Sequence, residues 1–324
     1  MKRKRTLYTA ILFLLLLASA VLSLALGSSG ISLSALFSGD DWARLIILSL
    51  RLPRLLAAML SGIAFSLSGL LLQTATGNDL ASPGVIGINS GAGFMVLLFL
   101  AFFPMQYRFL PFAAFFGALL AVVLVMGTTK ACSSLSDRTT LVLAGVAVSS
   151  LFSAGISAIS AIKSDVLATY SSFSIGGFSG IELSDLAFPA LVILPLLFIS
   201  LLLSRKLTYL TLGDELAASY GISVKALRAA SILLASALAA AAVSFSGLLG
   251  FVGLVVPHLA KRIYGENATS RMLGSMLLGP ALVSLSDLAG RIIAPPAELP
   301  SGVFMAAIGV PFFLVLLKKG GKKA

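Results

Sequence analysis

Residues 229–260 read AASILLASALAAAAVSFSGLLGFVGLVVPHLA, 32 positions without a formal charge. A helix needs about 20 apolar residues to cross roughly 30 Å of hydrocarbon. The stretch is therefore too long for one span and short for two. Gly247, Gly250 and Gly253 offer a tight joint, which divides it into a span at 229–247 and another at 250–264. Pro257 falls inside the second and predicts a kinked or broken helix, because proline removes a backbone donor. His258, the single histidine, has a bland reading beside it, a hydrogen bond to the carbonyl that the proline frees. A role in transport is the alternative.

The same pattern extends outward in both directions. Of 324 residues, 58% are hydrophobic and 11% charged, against about 45–50% and 25% in soluble domains. That excludes a soluble enzyme and a disordered chain. Apolar runs of this length, without ~10-residue alternation, exclude a transmembrane β-barrel. The expected fold is an all-α polytopic membrane protein, one domain over 1–324. Ten spans are expected, at 7–27, 55–74, 85–103, 109–129, 139–161, 186–203, 229–247, 250–264, 272–287 and 302–317. The first follows Lys2-Arg3-Lys4-Arg5. Its 20-residue apolar core, 7–26, exceeds the ~7–15 of a signal peptide, so it reads as a retained helix. Segments 163–185 and 205–228 are too polar to span.

Charge placement gives an orientation. With both termini inside, 17 of the 23 Lys and Arg residues fall on the inner side and six on the outer, the bias expected of cytoplasmic loops. The net charge of +11 is thus absorbed by the membrane surface, and no aromatic-interleaved basic patch suggests nucleic acid. Cys132 is alone, which excludes an internal disulfide or a multi-cysteine metal site.

Arg51-Leu52-Pro53-Arg54 opens the second span and Lys225-Ala226-Leu227-Arg228 the seventh. Ser68-Gly69-Leu70-Leu71 and Ser246-Gly247-Leu248-Leu249 follow at similar offsets. One basic pair is assigned outside and the other inside, the arrangement of an inverted repeat. Chance in a Leu/Ser/Gly-rich chain is the alternative. All 12 acidic residues fall in loops or at span ends, and ion-coupled carriers need buried ionisable groups. There is no G-x-x-x-x-G-K-[ST] phosphate loop and no plausible Ser/His/Asp set. Any thermodynamic work would draw on a partner.

Two features look like docking surfaces. Thr211-Leu212-Gly213-Asp214-Glu215-Leu216-Ala217-Ala218-Ser219-Tyr220-Gly221 suits a short helix, with acids at its N-terminal end and a glycine stop; the bland reading is a connecting loop. Arg51, Arg54 and Arg291 are outer cations at span ends. They either snorkel or steer an acidic partner.

Together these residues resemble the permease family of binding-protein-dependent ABC importers for iron–siderophore complexes, haem and vitamin B12. The similarity runs from about Leu50 to the C-terminus. It is carried by Arg51-Leu52-Pro53-Arg54, by Gln73 and Asn78 to Ala92, by Gly213-Asp214 to Gly221, and by Gly250 to His258. Asp287 with Arg291, Glu298-Leu299-Pro300 with Gly302, and Gly309 with Pro311-Phe312-Phe313 complete it. The resemblance implies a ten-helix subunit with an inverted-repeat core, working as a dimer in the plasma membrane. It implies two cytoplasmic ATPase subunits that use the ATP, an extracytoplasmic substrate-binding protein, and no bound cofactor or metal of the permease's own. It places Gly213, Asp214, Glu215, Ala217 and Gly221 in the ATPase-coupling segment, and Arg51, Arg54 and Arg291 at the binding-protein dock. Asn78 and Leu80 fall at an inner gate, Asp137, Arg138, Thr139 and Thr140 at a second gate, and 163–185 on a short outer helix. Two departures stand out. Asp79 replaces the proline usual after Asn78, and Phe173 replaces the tryptophan usual before Gly176-Gly177. The rival is an ion-coupled secondary transporter with inverted repeats.

Overall fold

The computed structural model describes residues 2–27, 41–132 and 138–320. Every regular element among them is helical: α1 (Lys2–Ala25), α2 (Asp41–Leu45), α3 (Leu52–Thr76), α4 (Ile88–Phe102), α5 (Leu110–Cys132), α6 (Arg138–Ile162), α7 (Leu167–Ile175), α8 (Ala187–Thr211), α9 (Asp214–Ser219), α10 (Val224–Ser246), α11 (Val252–Tyr264), α12 (Ala268–Ile292) and α13 (Ser301–Gly320). A π-helical turn, Ile46–Arg51, leads into α3 without a break.

Seven helical stretches among the described residues are long and apolar enough to cross a membrane: Arg5–Ala25, Ile46–Thr76, Tyr107–Ala131, Thr140–Ile162, Leu183–Thr211, Val224–Ser246 and Ala268–Ile292. The other three expected spans are shorter. The apolar helix Ile88–Phe102 falls below span length, whereas α13 runs 20 residues, Ser301–Gly320, with its apolar part at Ser301–Leu316. α11 has 13 residues, a rise of about 20 Å against a ~30 Å core. Other ends also move. α8 continues two turns past 203 through Arg205 and Lys206, because a helix leaving the membrane needs no apolar side chains. The segment expected as loop over 205–228 is thereby reduced to 212–223, around α9.

α3 is the axis of the bundle. It packs against α12, α10, α11 and α8, while α4, α5 and α6 form a neighbouring group joined through α10. α1 and α13 lie against α12. From Ala64 to Thr76 every side chain of α3 is buried. By contrast Leu14, Phe116, Leu151, Leu191, Phe198 and Leu202 are more than half exposed, which is tolerable in water for none of them together but natural against lipid.

Lipid supplies no hydrophobic drive between helices, so close packing of small residues and side-chain hydrogen bonds must hold the bundle. Gly69 meets the α11 backbone so closely that an added Cβ would stand 1.8 Å from the Gly253 oxygen. Gly62 and Gly279 make a similar crossing with α12. Three polar side chains of α3 reach carbonyls on its neighbours: Ser66 Oγ donates to Ser275 (3.1 Å), Ser68 Oγ to Ala235 (2.5 Å) and Gln73 Nε2 to Gly253 (3.3 Å).

The joint predicted within 229–260 is present, with a changed detail. α10 stops at Gly247 (φ +69°) and α11 begins after Phe251 (φ +64°). The break precedes Pro257, which lies inside α11. The carbonyl four residues before that proline belongs to Gly253, and Gln73, not His258, supplies its donor. His258 Nδ1 is buried without a hydrogen bond, and the ring packs edge-on against Phe312 at 5.6 Å. The two Ser-Gly-Leu-Leu motifs are not structural equivalents either. Ser68-Gly69 lies mid-helix at a crossing, whereas Ser246-Gly247 ends a helix.

Gly69→Ala is expected to cost about 1–3 kcal/mol, the usual range for overpacking. Gly127→Ala, with nothing within 4 Å of its Cβ, is expected to cost nothing. Thermal unfolding of the two variants in detergent measures the difference.

Candidate functional site

Ionisable side chains with resolved partners collect at the two ends of α3 and α12. Arg54 begins α3 and lies beside Asp287, near the end of α12. Asp79 follows α3 and shares Lys261 with Glu266, which in turn faces Arg271 near the start of α12. From Arg54 to Asp79 is 25 residues, a rise of about 37 Å if helical throughout. The clusters are therefore separated by roughly a bilayer core. Arg228, at the start of α10, lines the same cavity as Asp79, so α10 runs opposite to α3. That is the reversed sense expected of the two basic pairs.

At the first end, Arg54 Nε donates to both oxygens of Asp287 at 3.0 and 2.9 Å, and its Nη1 reaches Glu298. Arg291 Nε lies 3.2 Å from Asp287. Arg291 Nη2 also donates to the carbonyl (3.1 Å) and hydroxyl of Ser23. Arg51 Nη1 donates to the carbonyls of Leu24 (2.7 Å) and Ala25 (3.0 Å). These are last-turn carbonyls of α1, which have no partner within the helix and carry the negative end of its dipole. The three arginines come together, with Glu298, around one cavity of about 260 Å³. Arg51 and Arg291 do so as buried groups, at 4% and 3% exposure, and Arg54 as a partly buried one. Asp287 pairs with Arg54 and Arg291, and Glu298 with Arg54, because an unpaired guanidinium in this position would carry its full desolvation cost.

The outer segment is stitched to this end. Gly177 N donates to Ser246 O, Leu248 N to Phe173 O and Gly302 N to Gly176 O, and Ser179 Oγ reaches Glu298 at 3.3 Å. Backbone bonds through Phe173 make no demand on its side chain, so phenylalanine can stand where tryptophan was expected. Burial against α4 pushes the Tyr170 hydroxyl above the usual tyrosine range, with a bond to Ser174 opposing.

At the second end, Gly77 closes α3 in the left-handed region (φ +59°). Asn78 Oδ1 then accepts from Leu80 N at 2.9 Å, a side-chain-capped turn. Asp79 uses the position of the expected proline to hold Lys261 at 2.9–3.1 Å. On α9, Asp214 is tied back to Arg228 at 2.8 Å, Ala217 is buried, and Gly213 and Gly221 take φ of +120° and +74°. Leu212, Leu216 and Tyr220 are more than half exposed on a segment outside the spans. Sequence reasoning passed over these three; their spacing, four residues apart, was the available signal. Thr140 lies in the first turn of α6. Arg138 and Thr139 begin that helix, and Asp137 lies outside the described residues.

A model of the FecCD transport family matches residues 15–319. The chain belongs to that family. It is 39% identical over 318 residues to the achromobactin transport system permease protein of Dickeya dadantii, covering 94% of this chain and 89% of that one. It is 36% identical over 332 residues to the Fe(3+)-citrate import system permease protein of Bacillus subtilis, with 99% and 98% covered. The hemin transport system permease protein of Yersinia pestis is 33% identical over 313 residues, with 94% and 93% covered. A solved metal-chelate type ABC transporter, in an inward-facing conformation, superposes with a TM-score of 0.86 at 32% identity over 96% of this chain and 99% of its own. As a FecCD permease the chain is a multi-pass membrane transport protein. The ion pairs seen among the described residues lie toward the ends of the spans, which leaves a self-contained ion-coupled carrier without a mid-membrane carboxylate among the described residues.

Asp287→Ala would leave Arg54 and Arg291 facing each other in a buried site. A loss of about 3–5 kcal/mol is expected. Glu298→Gln, at a partly exposed pair, is expected to cost about 1 kcal/mol or less. Unfolding midpoints of the purified variants in detergent compare the two.

Proposed function

We propose that this permease forms the membrane path of an ATP-driven importer for a metal chelate, of the iron–siderophore, ferric citrate or haem kind. The family match and the names of the relatives support the cargo class. Two permease subunits, this chain with a second copy or a paralogue, would face each other across the path. Ten passes would put both termini in the cytosol, with the short helices α4 and α11 and the terminal helix α13 completing the passes. Two ATPase subunits would supply the work, the permease itself needing no cofactor.

The observation that carries this reading is α9. A short helix stands between two spans with Leu216 on it and Leu212 and Tyr220 flanking it, all more than half exposed, while its buried Ala217 and the Asp214–Arg228 pair anchor it to the bundle. An apolar edge held rigidly outside the membrane fits a soluble partner. Force applied to α9 reaches α10 through Arg228. The turn at Asn78 and Leu80 is held through Lys261 to α11, which makes it a suitable inner gate; the 138–140 region would be the second. At the outer end, the binding protein would dock where Arg54 shares Glu298, a carboxylate of the partner competing for the same guanidinium. Arg51 and Arg291 would shape that site from beneath.

Leu216→Asp combined with Tyr220→Asp removes the apolar edge and leaves Asp214 and Arg228 intact. The ATPase subunit is then expected to separate from the permease on size-exclusion chromatography, with the permease's own unfolding midpoint unchanged. A full-strength complex carrying both substitutions would contradict the coupling role of α9.

A further inference from the structure

The second end carries an open cavity of about 770 Å³, well within the range of small-molecule sites. Its charges are sorted by depth. The Arg271 and Arg228 side chains are 3% and 7% exposed, whereas Asp79, Asp214 and Glu266 are each about half exposed. Guanidinium groups form the floor and carboxylates the rim. The floor is under-satisfied. Glu266 is 3.7 Å from Arg271 Nη1, too far for a good hydrogen bond, and is shared with Lys261. Arg271 Nε and Nη2 and Arg228 Nε are buried without an acceptor, Thr74 Oγ1 is buried without a partner, and Gln73 Oε1 is buried without a donor; Thr74 and Gln73 line the same space.

Buried donors of this kind are costly unless met, and a guanidinium fork matches the paired oxygens of a carboxylate or phosphate. The volume exceeds a water's share of about 30 Å³ many times over. We infer that the cavity is a binding site for a soluble oxyanion, a carboxylate or phosphate, held between Arg271 and Arg228 with Thr74 donating to it. Gln73 Oε1 accepts a hydroxyl of the ligand, which favours hydroxycarboxylates and protonated phosphate. The rim carboxylates stand in water, where salt screens their repulsion. The site joins α3, α10, α11 and α12 at the turn that carries Asn78, so occupancy would bias the spacing of those helix ends. Only the cytosolic placement of the cavity rests on the orientation proposed above.

The test is isothermal titration of the permease–ATPase complex in phosphatidylcholine nanodiscs, with citrate and with inorganic phosphate at fixed ionic strength. Saturable binding of at least one is expected, weakened tenfold or more by Arg271→Gln and partly restored by Arg271→Lys. Arg228→Gln, a separate variant, is expected to weaken it as well. No saturable binding to the wild-type complex would overturn the inference without recourse to any variant. Equal affinity in Arg271→Gln would also overturn it. Binding abolished in phosphatidylglycerol discs would assign the floor to a lipid headgroup, and binding by the permease alone that vanishes in the complex would assign it to a carboxylate of the ATPase; either contradicts a soluble ligand. Failure of ATP-driven uptake alongside intact citrate binding would count against the importer reading alone.

Discussion

The contact between the backbones of α3 and its neighbours is the constraint on which the rest depends. In lipid, helices gain nothing by hiding apolar side chains from one another, so the bundle is held where glycine lets main chains touch and where a hydroxyl or amide can reach a neighbouring carbonyl. Gly69 against Gly253 and Gly62 against Gly279 fix α11 and α12 to one helix. The Ser66, Ser68 and Gln73 bonds tie the same helix to α12, α10 and α11. Because α3 is rigidly held along its length, its two ends are fixed relative to each other, and both carry the charged groups that matter.

Those groups are arranged by the cost of burying charge. At one end Arg54 and Arg291 converge on Asp287, and Arg51 and Arg291 satisfy the last carbonyls of α1. At the other, Lys261 links the turn after α3 to α11, and Arg228 links α9 to α10. The Arg54–Glu298, Lys261–Asp79 and Arg228–Asp214 pairs each join a segment between spans to a packed helix. Movement of a connecting segment at either end must therefore move a helix end or break an ion pair. That gives a permease handles on both faces.

Much of the fold was legible in the sequence because hydrocarbon imposes a blunt rule: uncharged runs of sufficient length cross it. The joint at 247–251 followed from length and glycines alone. The end of α8 did not, since Arg205 and Lys206 mark where lipid stops and not where the helix stops. The short α11 was legible as well, since the span expected at 250–264 differs from Val252–Tyr264 by two residues at one end. At the site, the position of α9 and its glycine boundaries were readable from local signals. The partners of the arginines were not. Asp287 lies 233 positions from Arg54, and Asp79 lies 182 from Lys261. Only packing brings them together, so cations that look like open surface in sequence prove to be buried, and an aspartate that looks like a departure proves to be half of an ion pair.

The central claim is that this chain is a path whose motion is powered from outside itself. Uptake of a labelled iron chelate into proteoliposomes tests it most directly, comparing the permease alone with the permease joined to its ATPase subunits and binding protein. The account predicts accumulation against a gradient only in the complete complex with ATP inside a position to be hydrolysed, and none in the permease alone under any imposed ion gradient. Uphill accumulation by the permease alone would contradict it.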